Sequence, residues 1–389
     1  MTVDDLLNDK TYHIEFNGHL TNHVKHAVVA LARLGAPQER IQSYYENYAR
    51  MTPYGYGLEA PRGSRDVITD DNWTDFFGKR TNYSAYCDFF DAKVTEVGVD
   101  EVLRRYMPAL LPGWVGSFTH AAIHLGWALD IDSRWMAVEG LAYLAFSYVS
   151  CHPERMSDVD GVVDESVEAS LLRIAGVWEA DYDTLRDWRE ALVTDVAAGT
   201  AAGIHPELMR SGLQYRIARM LAEGHPMIYQ TPAWIDGQDT ARSWEQLYHA
   251  VTLIYLAMPG DFVLLHLITS LHAMEQIAEH LPRDQQKVVI ANFWIGMLCT
   301  VLAGAEFPKR TTLAALHEQY VDAVDTDDAD WPGIVARAID EDEEHNPKMV
   351  YVLRRVWEST GRRSIYRVAA GHFTTTPELP KSFEEPPND

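Results

Sequence analysis

The chain has 389 residues, 47% hydrophobic and 23% charged, with a formal net charge of −24. This is the composition of a folded globular protein with a large core, arranged as one large domain or two smaller ones. So acidic a surface repels phosphate backbones and anionic lipid, which argues against nucleic acid or a membrane as partner.

In chain order, the apolar residues Leu20, Val24, Ala27, Leu31 and Leu34 predict a helix over His19–Leu34, stopped by Gly35 and Pro37. A second helix is expected over Gln38–Arg50. Met51–Trp73, rich in Gly, Pro, Tyr and Arg, reads as a long irregular loop of the kind that forms lids or binding walls. One or two helices are expected in Asp75–Leu111, with breaks at Pro108 and Pro112. Trp114–Leu129 and the strongly apolar Ser133–Ser150 read as buried helices. Further helices are expected over Asp164–Gly176, Asp183–Ala197 and Pro206–Glu223, followed by a loop over His225–Asp239. Ala241–Met258, Asp261–His280, Arg283–Ala303, Thr311–Val324, Trp331–Asp340 and Pro347–Gly361 complete the set. Strand-like alternation is scarce and no fixed-period repeat is evident. The expected fold is all-α: a single large helical domain over residues 1–371, or two subdomains around a central metal-containing cavity. A poorly ordered tail over 372–389 follows.

Cys87, Cys151 and Cys299 are far apart, which leaves no disulfide framework or zinc ribbon and suits a reducing compartment. The acidic start, Met1–Lys10, has no apolar core of a signal peptide, and stretches such as Val251–Ala257 and Phe262–Ile268 are too short to span a bilayer. The expected location is the cytoplasm. The sequence also lacks G-x-G-x-x-G, Walker A, G-x-S-x-G and H-E-x-x-H patterns, and no pair of E-x-x-H motifs marks a carboxylate di-iron site. Flavin, nicotinamide and nucleotide sites have no sequence signature here.

The distinctive feature is histidine recurring on single helix faces: His19, His23 and His26; His120 and His124; and His345 with Lys348. Spacings of three, four and seven share a face, and imidazole is a common ligand of first-row metals. Each group has a plainer reading. His124 and His266, set in apolar helices, also suit core imidazoles satisfied by a carbonyl. His19 suits a cap, and one of His23 and His26 suits a packing or orienting role. His345 and Lys348 suit a surface pair behind the acidic run Glu341–Glu344, which complements a helix N-terminus. His13, His152, His205, His225, His280, His317 and His372 read as structural.

Four segments resemble the questin oxidase-like family: N-H-x-x-H-x-x-x-A-L-x-x-L-G-A-P at Asn22–Pro37, H-x-x-I-H-L-G-x-A at His120–Ala128, F-x-L-L-H-x-x-T-S at Phe262–Ser270, and E-H-x-x-K-x-V at Glu344–Val350. The resemblance implies a flavin-free, all-α protein with a non-heme Fe(II) held by several histidines and a lysine carboxylated by CO2. Carried onto this chain, it assigns His124, His266, His345 and Lys348 to the metal together with His23 or His26 (or both) from the first segment, and gives His120 a catalytic role, as a further ligand or an orienting partner. It further implies an oxygenase that opens a ring of an anthraquinone-type aromatic polyketide with O2. The alternatives are a Baeyer–Villiger oxygenase using NADPH on the same substrates, and a non-enzymatic metal- or aromatic-binding protein. The lysine makes physical sense: an ammonium repels a nearby cation, whereas a desolvated neutral amine adds CO2 to become an anionic oxygen ligand.

Overall fold

A computed structural model describes residues 1–158, 164–204, 208, 211–236, 239–304, 306–327 and 330–377 of the chain. Helices dominate the described residues. The sheets are two minimal pairs, Glu15–Phe16 antiparallel to Leu20–Thr21 and Ser157–Asp158 parallel to Gln230–Thr231. The fold is all-α, as the helical periodicity predicts.

Four helices form the centre: Val24–Leu34, His120–Asp130, Phe262–Glu279 and His345–Ser359. The first ends as its sequence requires, with Gly35 at φ 82° returning its N–H to the carbonyls of Leu31 and Ala32. The His120 helix packs between Arg134–Phe146 and the Phe262 helix. Glycines allow this close approach. A Cβ on Gly126 would lie 2.3 Å from the Ala273 Cα, and one on Gly140 would lie 2.6 Å from the Leu125 Cα. Arg283–Gly304 is apolar and long enough to cross a bilayer, but 78% of its apolar window is buried inside the protein, where it packs on the Phe262 helix.

Several boundaries differ from the sequence reading, each for a local reason. The first histidine helix starts at Val24, because the Glu15–Thr21 hairpin occupies the preceding residues and leaves His23 at the N-cap. The helix expected from Trp114 starts at His120. Ser117, Phe118 and Thr119 all have positive φ, of 48°, 54° and 67°, which no α-helix accommodates. Pro108 lies inside Val99–Leu110 instead of ending it, at the cost of the one N–H donor that a proline lacks. The Asp183–Ala197 helix is divided at Asp195, whose side chain caps Val196–Ala201. The helix expected from Pro206 is seen from Leu213, and its start, with His205, lies outside the described residues. Trp331–Asp340 has the expected bounds. Met51–Trp73 holds no regular element before a short 3-10 turn at Trp73–Phe76. Of the expected tail, residues 372–377 lie against the His345 helix, where the Thr374 backbone pairs with the Asn346 amide; residues 378–389 are outside the described set.

The Gly126 contact gives a direct check on this packing. Gly126→Ala forces backbone apart at the centre of the bundle. It should cost about 1–3 kcal/mol or more, read as a lowered Tm in a thermal melt. An unchanged Tm would contradict the close approach.

Candidate metal centre

His23, His120, His266 and His345 meet in the middle of the bundle. Each presents one ring nitrogen, and these nitrogens all lie within 4.8 Å of one another. All four residues are buried. They come from four separate segments and share one placement, at or within a turn or so of a helix N-terminus. His23 is the N-cap of its helix, His120 and His345 are the first residues of theirs, and His266 is one turn into Phe262–Glu279.

Each ring is held through Nδ1. His120 Nδ1 meets the Ser117 carbonyl at 2.6 Å and His266 Nδ1 the Phe262 carbonyl at 2.7 Å. His345 Nδ1 meets Glu343 Oε1 at 2.6 Å and His23 Nδ1 meets Glu344 Oε1 at 3.0 Å. A carbonyl can only accept, so the Nδ1 of His120 and of His266 carries the proton and Nε2 is a lone pair. These two Nε2 atoms nevertheless face each other at 3.1 Å. Two lone pairs repel at that distance unless a cation lies between them. Nitrogens on one first-row ion, each roughly 2.1 Å from it, sit about 3 Å apart at a right angle. His23 Nε2, His345 Nε2 and Lys348 Nζ are buried without a hydrogen-bond partner among the described residues. The donor set and its anchors therefore fit a divalent transition metal, with carboxylates and carbonyls orienting the ligands from behind.

The electrostatics agree. Burial pushes all four imidazoles well below their usual range; the neighbouring Lys348 adds to this at His23, His120 and His345, and His345 does so at His266. The rings are neutral at physiological pH, which is the ligating form. Burial also pulls the Lys348 amine down to about 8, against the opposing pull of Glu344 and Glu343. Burial, then repulsion from Glu343, pushes Glu344 up to about 8, and burial raises Glu343 as well.

His26 and His124, assigned to the metal by resemblance, are placed differently. They form a buried chain of their own: His26 Nε2 meets His124 Nδ1 at 2.9 Å, His124 Nε2 meets Glu139 at 3.3 Å, and Lys25 Nζ meets Glu139 at 2.7 Å. The His26 ring still neighbours His23, with centroids 5.8 Å apart. Glu139 accepts from His124 Nε2–H, so His124 Nδ1 accepts from His26 Nε2–H, and His26 Nδ1 is left as a buried lone pair. His120, given the catalytic role above, is among the four converging histidines. His272 points away and pairs with Asp130 at 3.0 Å, and His152 pairs with Glu154 at the surface.

Sequence reasoning passed over the anchoring groups. Glu343 and Glu344 lie in the acidic run read as a helix cap. Glu343 does cap, accepting from the backbone of His345 and Asn346, but it and Glu344 are also buried partners of the converging rings. Among the aromatic residues that could line a pocket, Trp114, Trp127 and Trp294 are plain core. Phe118 packs against His266 with centroids 4.5 Å apart and planes tilted by 51°, and Phe262 meets His345 edge-on at 4.8 Å, so two apolar rings flank that side of the cluster.

The family model described as Questin oxidase-like matches residues 20–353, and the chain belongs to that family. A Baeyer-Villiger oxidase of Pestalotiopsis microspora is 26% identical over 192 residues, 44% of this chain and 41% of the relative. A Baeyer-Villiger oxidase of Paecilomyces divaricatus is 28% identical over 140 residues, covering 33% and 29%. An oxidoreductase of Aspergillus parasiticus is 29% identical over 142 residues, covering 34% and 28%. The matched segments span less than half the length of these relatives.

The depressed imidazoles make metal-free stability depend on pH. Their folded pKa lies below the unfolded value of about 6.5, so below that pH the unfolded chain binds more protons and stability falls. Each histidine contributes a slope of about 1.4 kcal/mol per pH unit. Glu343 and Glu344, held up in the fold, act in the opposite sense over the same window and offset up to two histidines. The Tm of chelator-treated protein should therefore drop as pH goes from about 6.5 to about 5. A Tm that holds or rises over that range would contradict neutral, buried rings.

Proposed function

We propose that the protein is a non-heme Fe(II)-dependent oxidoreductase that uses O2 to open a ring of an anthraquinone-type aromatic polyketide. The observation that carries the reading is the convergence of four Nδ1-anchored imidazoles, two of them facing each other lone pair to lone pair at 3.1 Å. Membership of the questin oxidase-like family and the oxidase names of the relatives support the oxygen chemistry.

His23, His120, His266 and His345 would hold the metal through Nε2, and Lys348, buried beside them, would add a fifth ligand as its carbamate. Bound iron supplies the means of engaging O2. The chain's own part is orientation, desolvation and proton handling. The Nδ1 anchors set ring orientation before any ligand arrives. Phe118 and Phe262 keep water from the His266–His345 side, where a low dielectric strengthens every polar interaction. Desolvation keeps a share of Lys348 as the free amine, which can add CO2 to form a C–N bond, with loss of one proton. His26 Nδ1 is a buried lone pair in the same region, and burial, with His124 and Lys348 beside it, holds the ring neutral.

The relatives' names favour a second reading, a flavin-free Baeyer–Villiger oxygenase on the same substrates, with NADPH as reductant. Oxygen uptake with a simple hydroxyanthraquinone separates the two, since only the monooxygenase needs NADPH for turnover.

The ligand assignment is tested by metal content. His266→Ala should lose most of its iron, while His152→Ala, at the surface, should keep it. Lys348→Ala should bind iron more weakly, and added bicarbonate should speed reconstitution of wild type alone. Full iron and full turnover in both site variants would overturn the proposal.

A further inference from the structure

The turn that delivers His120 to the centre is held by a buried acid that no role above uses. Ser117, Phe118 and Thr119 have left-handed φ in succession. L-residues visit that region singly, so three together stay there only where their surroundings hold them. The Ser117 carbonyl accepts twice from His120, from the backbone N–H at 3.3 Å and from the ring Nδ1–H at 2.6 Å. The direction of that carbonyl therefore sets the direction of the imidazole.

Glu15 holds the turn. Ser117 Oγ donates to Glu15 Oε1 at 2.7 Å, and the Tyr143 hydroxyl donates to the same oxygen at 2.9 Å. The tyrosine's one proton is committed to a carboxylate, so the Thr21 hydroxyl, 2.8 Å away, is the donor toward Tyr143. Glu15 Oε2 pairs with Arg80, whose side chain is only 5% exposed. Glu15, Thr21, Ser117 and Tyr143 are all buried. A hydrogen-bonded acid in such surroundings has fixed geometry, because each partner lost would leave a polar group without water.

The ground on which Glu15 stands is fixed as well. It faces Thr21 across the Glu15–Thr21 hairpin, the same hairpin that sets His23 at the N-cap of its helix. Tyr143 belongs to the Arg134–Phe146 helix, which packs along the His120 helix. One carboxylate thus ties the hairpin, that helix and the left-handed turn together, and none of its hydrogen bonds goes to the four converging rings. We propose that Glu15 is a positioning residue for His120, acting through the Ser117 hydroxyl and carbonyl to fix the ring's direction and tautomer. The inference rests on the metal reading of the histidine cluster and adds the group that orients one of its ligands.

The test uses full-length, chelator-treated protein labelled with 15N-histidine. NMR follows exchange of the His120 Nδ1–H with D2O, the signal being assigned by its absence in His120→Gln. The His266 Nδ1–H, held by the Phe262 carbonyl, is the internal reference. A fold that is merely less stable would speed both exchanges, whereas loss of positioning speeds His120 alone. Ser117→Ala removes one hydroxyl and keeps the Glu15–Arg80 pair, so it serves even where Glu15→Ala fails to fold. Both variants should speed exchange at His120 relative to His266 by about tenfold, the effect of losing one hydrogen bond. Glu15→Gln, which keeps the side chain's length and an oxygen for the two hydroxyls, should retain most of the protection. Unchanged His120 exchange in Ser117→Ala, or equal acceleration of His120 and His266 in Glu15→Ala, would overturn the proposal. Selective loss at His120, in a protein whose wild type takes up no Fe(II), would leave the role of Glu15 standing and overturn the iron reading above.

Discussion

The structure depends on holding four imidazoles neutral, buried and pointed at one another. Left alone, such a cluster is costly: lone pairs face at 3.1 Å and other ring nitrogens are buried without partners among the described residues. The Nδ1 anchors make it possible by fixing each ring's orientation. The helix ends matter too. Three of the four rings start or cap a helix, where the positive end of the macrodipole opposes an imidazolium and favours an anion. The carbamate proposed for Lys348 would be such an anion, and four neutral ligands alone would leave the charge of a divalent ion unmatched.

The supporting architecture follows from that demand. Gly126 lets the His120 helix sit against the Phe262 helix, so that His120 and His266 meet. Ser117, Phe118 and Thr119 adopt left-handed backbone that is rare outside glycine, and they place the Ser117 carbonyl behind His120 and the Phe118 ring against His266. Strain of this kind, of order 1–3 kcal/mol per residue, persists where the surroundings over-determine it and is common at functional sites. Behind Val24–Leu34, the Lys25–Glu139–His124–His26 chain buries a charge pair and fixes two tautomers within reach of the centre.

Much of the fold was legible because helical periodicity survives burial. Trp331–Asp340 and the Phe262 and Arg283 helices stand within a residue of their expected bounds. The site was legible as a list of histidine-bearing segments and less so as a geometry. His120 and His124 share a helix face, so spacing alone does not tell which reaches the centre. The structure brings in His120 because the centre lies off the helix end and not along its side. The same holds for His23 and His26: the Glu15–Thr21 hairpin ends just before His23 and sets it at the N-cap, and its two-residue strands are too short to carry an alternation signal. Glu343 and Glu344 were visible as a cap, but Glu343 also accepts from the Thr376 hydroxyl and shares a cleft with Met51, Thr52 and Pro53, distant neighbours that no local pattern announces.

X-ray absorption at the iron edge, on full-length protein reconstituted with Fe(II) and bicarbonate, tests the central claim most directly. The account predicts a nitrogen and oxygen shell with multiple scattering from four imidazoles, and loss of one imidazole's share in His120→Ala. A shell with one or two imidazoles, or one unchanged in His120→Ala, would contradict it.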